Sequence, residues 1–288
     1  MYRNILLGTD GSAIADTATE YAIWFAKKLR TRLHVLYITD IRILEGPLLA
    51  DISGALGAQP YAALLPQLRE IQRAKSDTIL GAAAKRCEKQ GVSCELTHET
   101  GNLVESILNQ EGQADLVVLG QRGEHAQWSR TMLGSSVERV VRASVKPCLV
   151  TPEKFREIKH VLLAYDGSAE SQKALGTGID IAQALGAEAT IITVCQPRSE
   201  RGQRENEDAA SKVLQDGHRL ALDRKLKAQA QLLHGNAETE ILGAADKFGA
   251  DLIVMGAYGH TRIRELILGS TTSHVLRNAT VPVLLTRS

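Results

Sequence analysis

The sequence has 288 residues, 44% of them apolar, and 34 basic side chains nearly balance 33 acidic ones. This length suffices for two ordinary domains with buried cores, while a formal charge of +1 offers no general attraction for nucleic acid or an anionic membrane. No apolar run reaches the roughly 18 residues of a membrane-spanning helix, and the first residues enter a strand pattern without the apolar core of a signal peptide. We therefore expect a cytoplasmic protein with neither nucleic acid nor a membrane as partner.

Cysteine and histidine spacing argues against a metal centre. Cys87, Cys94, Cys148 and Cys195 contain no C-x-x-C pair, and the eight histidines form no H-E-x-x-H motif or Cys-His cluster. We expect reduced, partly buried thiols rather than a redox dithiol, and no metal site made by protein ligands alone.

The chain begins with an apolar strand pattern that runs into Asp10-Gly11-Ser12 and a helical pattern, and the same order returns at Asp166-Gly167-Ser168. Farther along each copy, "ADLVVLGQRG" from Ala114 corresponds to "ADLIVMGAYG" from Ala250. The sequence is therefore a tandem repeat. We predict one domain at 1–152 and a second at 156–288, joined by a short charged link.

The first repeat carries an insertion. Asp10 to Gly120 spans 110 residues, whereas Asp166 to Gly256 spans 90, so the first repeat has 20 extra residues. We assign them to about 41–71, an apolar stretch that either covers a pocket or makes a partner surface. The corresponding segment of the second repeat, 196–215, is shorter and highly charged, and we expect it to be mobile.

Each repeat alternates strand and helix patterns in the order β-α-β-α-β-α-β-α-β. Leu175, Ile179 and Ala182 recur at helical spacing between Ser168 and Gly186, which suit the two ends of a helix. Short apolar runs of the kind found in buried parallel sheets predict the second-repeat strands at 161–164, 190–194, 228–233, 252–255 and 281–285. The fold class is α/β, with two tandem, Rossmann-like, doubly wound parallel-sheet domains.

Pro147 and Pro282 stand beside the last strand pattern of each repeat. A proline has no amide to donate within a central strand, so each of these strands is expected at an edge. An apolar edge favours pairing. We predict that the two last strands pair antiparallel and form an intramolecular pseudo-dimer; a further homodimer stays open.

Ligands of open parallel sheets bind at the carboxyl ends of the strands, where strand order reverses. In the second repeat this edge carries Asp166, Val194 and Gly256. Gly269 opens a helix over 270–277, whose free amides favour an anion. The glycines allow positive φ angles and close backbone approach, so we predict a phosphate cradle.

Several side chains suit this cradle. His260, Arg262 and Arg264 add donors or positive charge, and the Asp166 carboxylate suits a ribose or an adenine amino group. The alternatives are simple turn glycines, Ser and Thr helix caps, and a solvated arginine face.

The spacing Gly256-x2-Gly259-x9-Gly269-Ser270, together with Asp166-Gly167-Ser168 after the first strand, resembles the ATP-binding branch of the universal stress protein family, and the repeat is similar to its tandem members. The resemblance implies adenine nucleotide alpha hydrolase-like domains that bind ATP, usually with Mg²⁺ or Mn²⁺, as a regulatory ligand with slow or no hydrolysis. The nucleotide-binding residues it implies are Asp166, Val194, Met255, Gly256, Gly259, His260, Gly269, Ser270 and Thr271.

The first repeat departs from this pattern. Ten residues separate Gly123 from Gly134, one more than in the motif, and Glu124 stands where the second repeat has His260. A carboxylate ~4 Å from a phosphate costs about 1 kcal/mol in water and more near a protein surface. Arg122, His125 and Arg130 offer an offset, and the matching residues that remain are Asp10, Ile38, Gly120, Gly123, Gly134, Ser135 and Ser136. We expect a weak or lost nucleotide site, a site for another ligand, or a scaffold, and favour the second repeat.

Other chemistries lack their motifs. The sequence contains no G-x-x-x-x-G-K-[ST], no G-x-G-x-x-G and no G-x-S-x-G. The favoured function is an ATP-binding stress-response protein whose nucleotide tunes stability or the binding of an unknown protein partner. The alternatives are a slow Mg²⁺-dependent ATPase assisted by His260, a related nucleotide-activating enzyme, and a nucleotide-free interaction protein; no catalytic residue is assigned.

Overall fold

A computed structural model describes residues 2–40, 58–123, 133–196, 200–257 and 268–287. Strands and helices alternate along these residues in the predicted order. The strands are β1 Asn4–Thr9, β2 Arg32–Asp40, β3 Cys94–Gly101, β4 Leu116–Gly120, β5 Cys148–Thr151, β6 His160–Ala164, β7 Glu188–Cys195, β8 Ala228–His234, β9 Leu252–Gly256 and β10 Val283–Thr286. The helices are α1 Ala13–Leu29, α2 Ala58–Gln90, α3 Leu103–Glu111, α4 Ser135–Ala143, α5 Ala169–Leu185, α6 Glu200–Asp223, α7 Ala237–Phe248 and α8 Ser270–Asn278.

The ten strands form one sheet in the order β3-β2-β1-β4-β5-β10-β9-β6-β7-β8. Within each half every neighbouring pair is parallel. The chain builds outward from β1 to β3, then returns to the other side of β1 for β4, and the second half does the same around β6. Strand order therefore reverses beside β1 and beside β6, which confirms two doubly wound domains.

The two halves meet at the predicted antiparallel pair. Strand β5 pairs with β10 so that Leu149 lies opposite Leu284 and Val150 opposite Val283. All four side chains are buried. Each of these strands ends the parallel sheet of its own half but is central in the combined sheet, so the chain forms an intramolecular pseudo-dimer.

Core residues cover both faces of the sheet. Side chains alternate along a strand, so Ile5 and Leu7 of β1 join one core cluster while Leu6 joins the other. Helices α1, α2, α5 and α6 contribute to the first cluster, and α3, α4, α7 and α8 to the second. This double cover explains why the strands are apolar on both sides.

Helix α5 has the predicted ends. The Ser168 hydroxyl accepts from the Ser171 amide at 3.2 Å, and Gly186 closes the helix with a left-handed φ of 64°. Helix α1 begins in the same way at Ser12 but ends at Arg30, which takes a φ of 54° despite its side chain. The first half therefore holds a strained conformation that glycine relieves in the second.

The charged segment of the second half is a helix, so its expected mobility is wrong for the described residues. Helix α6 starts at Glu200 and packs Val213, Leu214 and Leu220 against the core. Its apolar residues fall at helical spacing and its charges face solvent. Part of the predicted insertion at 41–71 is helical, because residues 58–71 lie in α2. Helix α2 has 33 residues, whereas α6 in the second half has 24. Residues 41–57 lie outside the described part.

None of the helices in the described ranges combines the length and apolar content that a bilayer crossing requires.

Candidate functional site

A cavity of about 680 Å³ opens at the carboxyl edge of the first-half sheet, beside the reversal of strand order at β1. Residues from β1, β2, β4, α2 and α4 line it. All seven residues predicted for a first-half site are among them: Asp10, Ile38, Gly120, Gly123, Gly134, Ser135 and Ser136. The fold thus brings together residues that lie up to 126 positions apart in the sequence.

Asp10 lies in a tight turn between β1 and α1. Its Oδ1 atom accepts from the Ser12 amide at 2.9 Å, and Gly11 has a left-handed φ of 77°. A Cβ atom on Gly123 would lie 2.7 Å from Asp10 Oδ2. The backbone of the glycine loop therefore runs directly against this carboxylate, and any side chain at Gly123 would displace it.

Helix α4 presents its first turn to the cavity. Gly134 precedes the helix and has no side chain to cap it, whereas the Ser12 hydroxyl caps α1. Ser135, Ser136 and Val137 follow along the cavity wall. The first amides of a helix lack intrahelical acceptors and carry the positive end of its dipole, so this wall suits an anion.

Two basic side chains also line the first-half cavity, Arg122 and Lys75. The Arg122 side chain is 13% exposed, and its Nη1 lies 3.4 Å from Oε1 of Glu153 in the link between the halves. Arg122 Nε is buried without a hydrogen-bond partner in the described structure. Arg122 therefore places a cation in the cavity wall, whereas Glu124, whose charge it was expected to offset, lies outside the described residues together with His125 and Arg130.

The second half repeats the Asp turn. Asp166 Oδ1 accepts from the Ser168 amide at 2.9 Å and from the Ser168 hydroxyl at 2.6 Å. Burial raises the pKa of the adjacent Tyr165 phenol, with smaller contributions from the carboxylates of Asp216 and Asp166. Asp166 is therefore held at the carboxyl end of β6 by the helix it precedes.

The end of β9 meets the starts of two helices. Thr272 in the first turn of α8 donates to the Gly256 carbonyl at 3.2 Å. A Cβ atom on Gly256 would lie 3.0 Å from Glu170 Cβ and 3.1 Å from the Ser171 amide nitrogen of α5. These contacts bring the Gly256 end of β9 and the first turn of α8 to one edge of the sheet.

The other second-half residues are only partly described. Val194 lies near the end of β7, beside β6, and Met255 is buried in β9. Gly269, Ser270 and Thr271 lie at the start of α8, whose N-cap residue, Gly269, has no side chain to cap it. Gly259, His260, Arg262 and Arg264 lie outside the described residues.

The prediction that the loop glycines adopt positive φ angles is wrong for the glycines that the structure describes. Gly134 and Gly269 have φ angles of −59° and −54°, and neither Gly120 nor Gly256 has a positive φ. Gly120 and Gly256 serve close approach instead, because a Cβ atom would press against Ile14 or Glu170 in the first helix of each half. Among the glycines of the two motifs, positive φ occurs instead in the turn after the first strand of each half, at Gly11 and Gly167.

These features define a tandem, doubly wound α/β protein in which, in each half, one glycine ends the fourth strand and another precedes the last helix at the carboxyl edge of the sheet. The chain belongs to the universal stress protein family, whose model matches residues 1–152 and 157–287.

Relatives of similar length support this membership. A universal stress protein of Synechocystis sp. (strain ATCC 27184 / PCC 6803 / Kazusa) is 37% identical over 290 residues, covering 98% of this chain and 99% of that protein. One from Mycolicibacterium smegmatis is 24% identical over 298 residues, covering 98% and 96%. The crystal structure of a universal stress protein from Archaeoglobus fulgidus shares the fold, with a TM-score of 0.72, 23% identity, and coverage of 99% of this chain and 98% of that one.

Proposed function

We propose that this protein binds ATP as a regulatory ligand in a stress response, and that the bound nucleotide tunes its stability or its affinity for a protein partner. The observation that carries the proposal is the first-half cavity, in which all seven residues expected from the repeat motif converge, together with the return of its Asp turn and its helix start in the second half. Its volume of about 680 Å³ lies within the roughly 300–1,000 Å³ of small-molecule sites.

The wall chemistry supports a nucleotide. The uncapped start of α4, Arg122 and Lys75 offer amides and positive charge to phosphates. The Asp10 carboxylate offers an acceptor for a ribose hydroxyl or an adenine amino group. The two kinds of group come from different elements of the same cavity, as a molecule with a nucleoside end and an anionic end requires.

We propose the second half as the tighter site. Its motif spacing matches the family pattern, and His260 replaces the acidic Glu124 of the first half. The proposed contacts are Asp166, Val194, Met255, Gly256, Gly259, His260, Gly269, Ser270 and Thr271. The described members of this set lie at the ends of β6, β7 and β9 and at the start of α8, in keeping with one binding edge.

A divalent cation fits this proposal only as part of the nucleotide complex. The described residues contain no group of three or more His, Cys, Asp or Glu side chains that could hold a metal ion. Mg²⁺ or Mn²⁺ would therefore be held mainly by the phosphates, where it would neutralise their charge, with hydroxyls of Ser270 and Thr271 as the nearest protein donors we propose.

The test is to denature the purified protein, quantify released nucleotide, and compare Gly269→Glu with Gly134→Glu. Each substitution adds a carboxylate at the start of the helix that faces the proposed phosphates. We expect about one ATP per chain in the unmodified protein, abolished by Gly269→Glu and largely retained by Gly134→Glu.

Gly243→Glu and Gly81→Glu are the matched controls, because both glycines lie within helices where an added Cβ atom meets nothing within 4 Å. These controls should retain the nucleotide. The proposal fails if no nucleotide is released and added Mg²⁺-ATP does not raise the melting temperature. Equal loss from Gly134→Glu and Gly269→Glu would instead overturn the preference for the second half.

A further inference from the structure

Two cysteines that are seven positions apart in the sequence lie side by side in the first half. Cys87 is in the last turn of α2, and Cys94 is the first residue of β3. The turn between them is closed by the Val92 amide, which donates to the Cys87 carbonyl at 3.0 Å. Both thiols are free, and Cys94 packs against the core cluster that contains Cys87. Because the turn already places both residues at the same cluster, we expect side-chain movement to bring the two sulfur atoms to bonding distance.

The two thiols differ in their access to solvent. Cys87 is fully buried in the core, and burial, together with the neighbouring Cys94 thiol, raises the pKa of Cys87 to about 12. Cys94 is only partly buried and lies on β3, the outermost strand of the sheet in the first half. A small oxidant from solvent will thus meet Cys94 first, with Cys87 behind it.

The second half shows that the fold does not need thiols at this turn. The Leu226 amide donates to the Ala221 carbonyl at 2.9 Å, which repeats the Val92–Cys87 contact, and β8 then starts at Ala228 as β3 starts at Cys94. Ala221 is fully buried in the same core cluster. Alanine at both positions satisfies the packing, so the adjacent thiols in the first half need an explanation beyond the fold.

We propose that Cys87 and Cys94 form a peroxide-responsive disulfide. The Cys94 thiolate attacks one oxygen of hydrogen peroxide, the O–O bond breaks, and Cys94 becomes a sulfenic acid while the departing hydroxide takes up a proton as water. The Cys87 sulfur then displaces the sulfenic hydroxyl, and the Cys87 proton leaves with it as a second water. Two thiols and one peroxide thus give one disulfide and two waters.

The bond would anchor the end of α2 to the edge of the sheet. Helix α2 also carries Gln72 and Lys75 in the wall of the first-half cavity. Oxidation therefore restrains an element that reaches that cavity, although the disulfide itself does not depend on nucleotide binding. Because Cys87 stays protonated at neutral pH, we expect its step to be slower than the first.

The test uses the full chain. The protein is treated with hydrogen peroxide in its folded state, then denatured and alkylated with N-ethylmaleimide, and its intact mass is measured. We expect two alkylated cysteines instead of four, a peptide linked through Cys87 and Cys94, and recovery of all four thiols after dithiothreitol. Cys195→Ala is the matched control and should keep the linkage.

Cys87→Ala and Cys94→Ala should each lose the linkage, and circular dichroism should show native folding, as alanine in the second half predicts. Four alkylated thiols after oxidation, a linkage between any other pair, or oxidation of Cys94 to sulfinic acid without a linkage would overturn the proposal. The peptide map of the unmodified protein decides the matter alone if a variant fails to fold.

Discussion

The two halves share the same scaffold but differ in the helix that follows their second strand, which is α2 in the first half and α6 in the second. A Cβ atom on Gly11 would lie 2.6 Å from Ile79 Cδ1 of α2, and one on Gly167 would lie 3.2 Å from Val213 Cγ2 of α6. Four residues earlier on each helix, Lys75 lines the first-half cavity while the equivalent residue is Ala209. One half therefore has a cationic wall at a place where the other has a methyl group.

The loops differ in the opposite sense. The first half has Glu124 in the loop where the second has His260. Relative to the second half it therefore has an added cation on the helix, Lys75, and an added anion in the loop. By contrast, both halves contain the Asp-Gly-Ser turn and the close backbone approach at Gly120 or Gly256. Each half also contributes one strand to the antiparallel pair that joins them. The comparison teaches that the repeat preserves what holds the sheet together and varies the groups that would face the proposed ligand.

The largest expected effect comes from breaking the junction of the two halves. Val283→Lys places an ammonium group at a position that is 1% exposed in the centre of the sheet. We expect a loss of about 4 kcal/mol or more in the free energy of unfolding, since a buried unpaired charge is among the costliest changes. Urea unfolding measures the loss, and gel filtration shows whether the two halves loosen.

Cys148→Lys tests the facing strand and should behave alike. Gln229→Lys adds the same charge on the exposed outer strand β8 and should change the free energy of unfolding by less than about 0.5 kcal/mol. An unchanged urea midpoint and elution volume for Val283→Lys would contradict the role of this junction.

A smaller effect tests whether the loop glycines have the same task in both halves. Gly256→Ala puts a methyl group 3.0 Å from Glu170 Cβ, and Gly120→Ala puts one 2.9 Å from Ile14 Cγ2. We expect each to cost about 1–3 kcal/mol in thermal or urea unfolding, because overpacking displaces the neighbouring helix. Gly243→Ala is the control and should stabilise the protein by up to about 1 kcal/mol, since an added Cβ atom there meets nothing within 4 Å of it. If Gly120→Ala and Gly256→Ala leave the free energy of unfolding unchanged, ligand binding would remain as the reason for these glycines.

Much of the fold could be predicted from the sequence because several local signals agree. The apolar runs are too short for helices, the turn residues separate them, and the repeat shows each pattern twice. Pro147 and Pro282 identified the strands that join the halves, because a missing amide has a direct consequence for hydrogen bonding. The seven first-half residues named from the sequence line one cavity, since the topology rule gives the edge where strands end.

The parts that were missed depend on three-dimensional distance rather than on pattern. The proximity of Cys87 and Cys94 depends on how α2 ends and β3 begins, which spacing alone does not give. A loop glycine that avoids a clash and one that needs positive φ look identical in a sequence. The start of α6 was expected to be mobile because its charge content outweighed the helical spacing of its few apolar residues.

Exchanging the loop charges should reverse the proposed preference between the halves. We expect Glu124→His to raise the affinity of the first half for Mg²⁺-ATP and His260→Glu to lower that of the second. About 1 kcal/mol of charge interaction corresponds to roughly a fivefold change in each dissociation constant. Isothermal titration calorimetry on each single variant and on the double variant gives both constants. Lys85→Ala, at an exposed position of α2 outside the cavity lining, is the control for altered net charge. Affinities that stay the same after both exchanges would mean that these two residues do not face the phosphates.

The smallest effect concerns the turn that the halves share most closely. The hydroxyls of Ser12 and Ser168 each accept from a helix amide at 3.2 Å, from Ala15 and Ser171 respectively. Removing an N-cap hydroxyl costs about 1 kcal/mol, so Ser12→Ala and Ser168→Ala should lower the free energy of unfolding by similar amounts in urea titrations without ATP. A loss of nucleotide affinity larger than the loss of stability, seen only in Ser168→Ala, would show that this serine has a role beyond its cap. Equal and purely structural losses would instead mean that the Asp-Gly-Ser turn is part of the conserved scaffold, and that the functional difference between the halves lies in the loop and the helix wall.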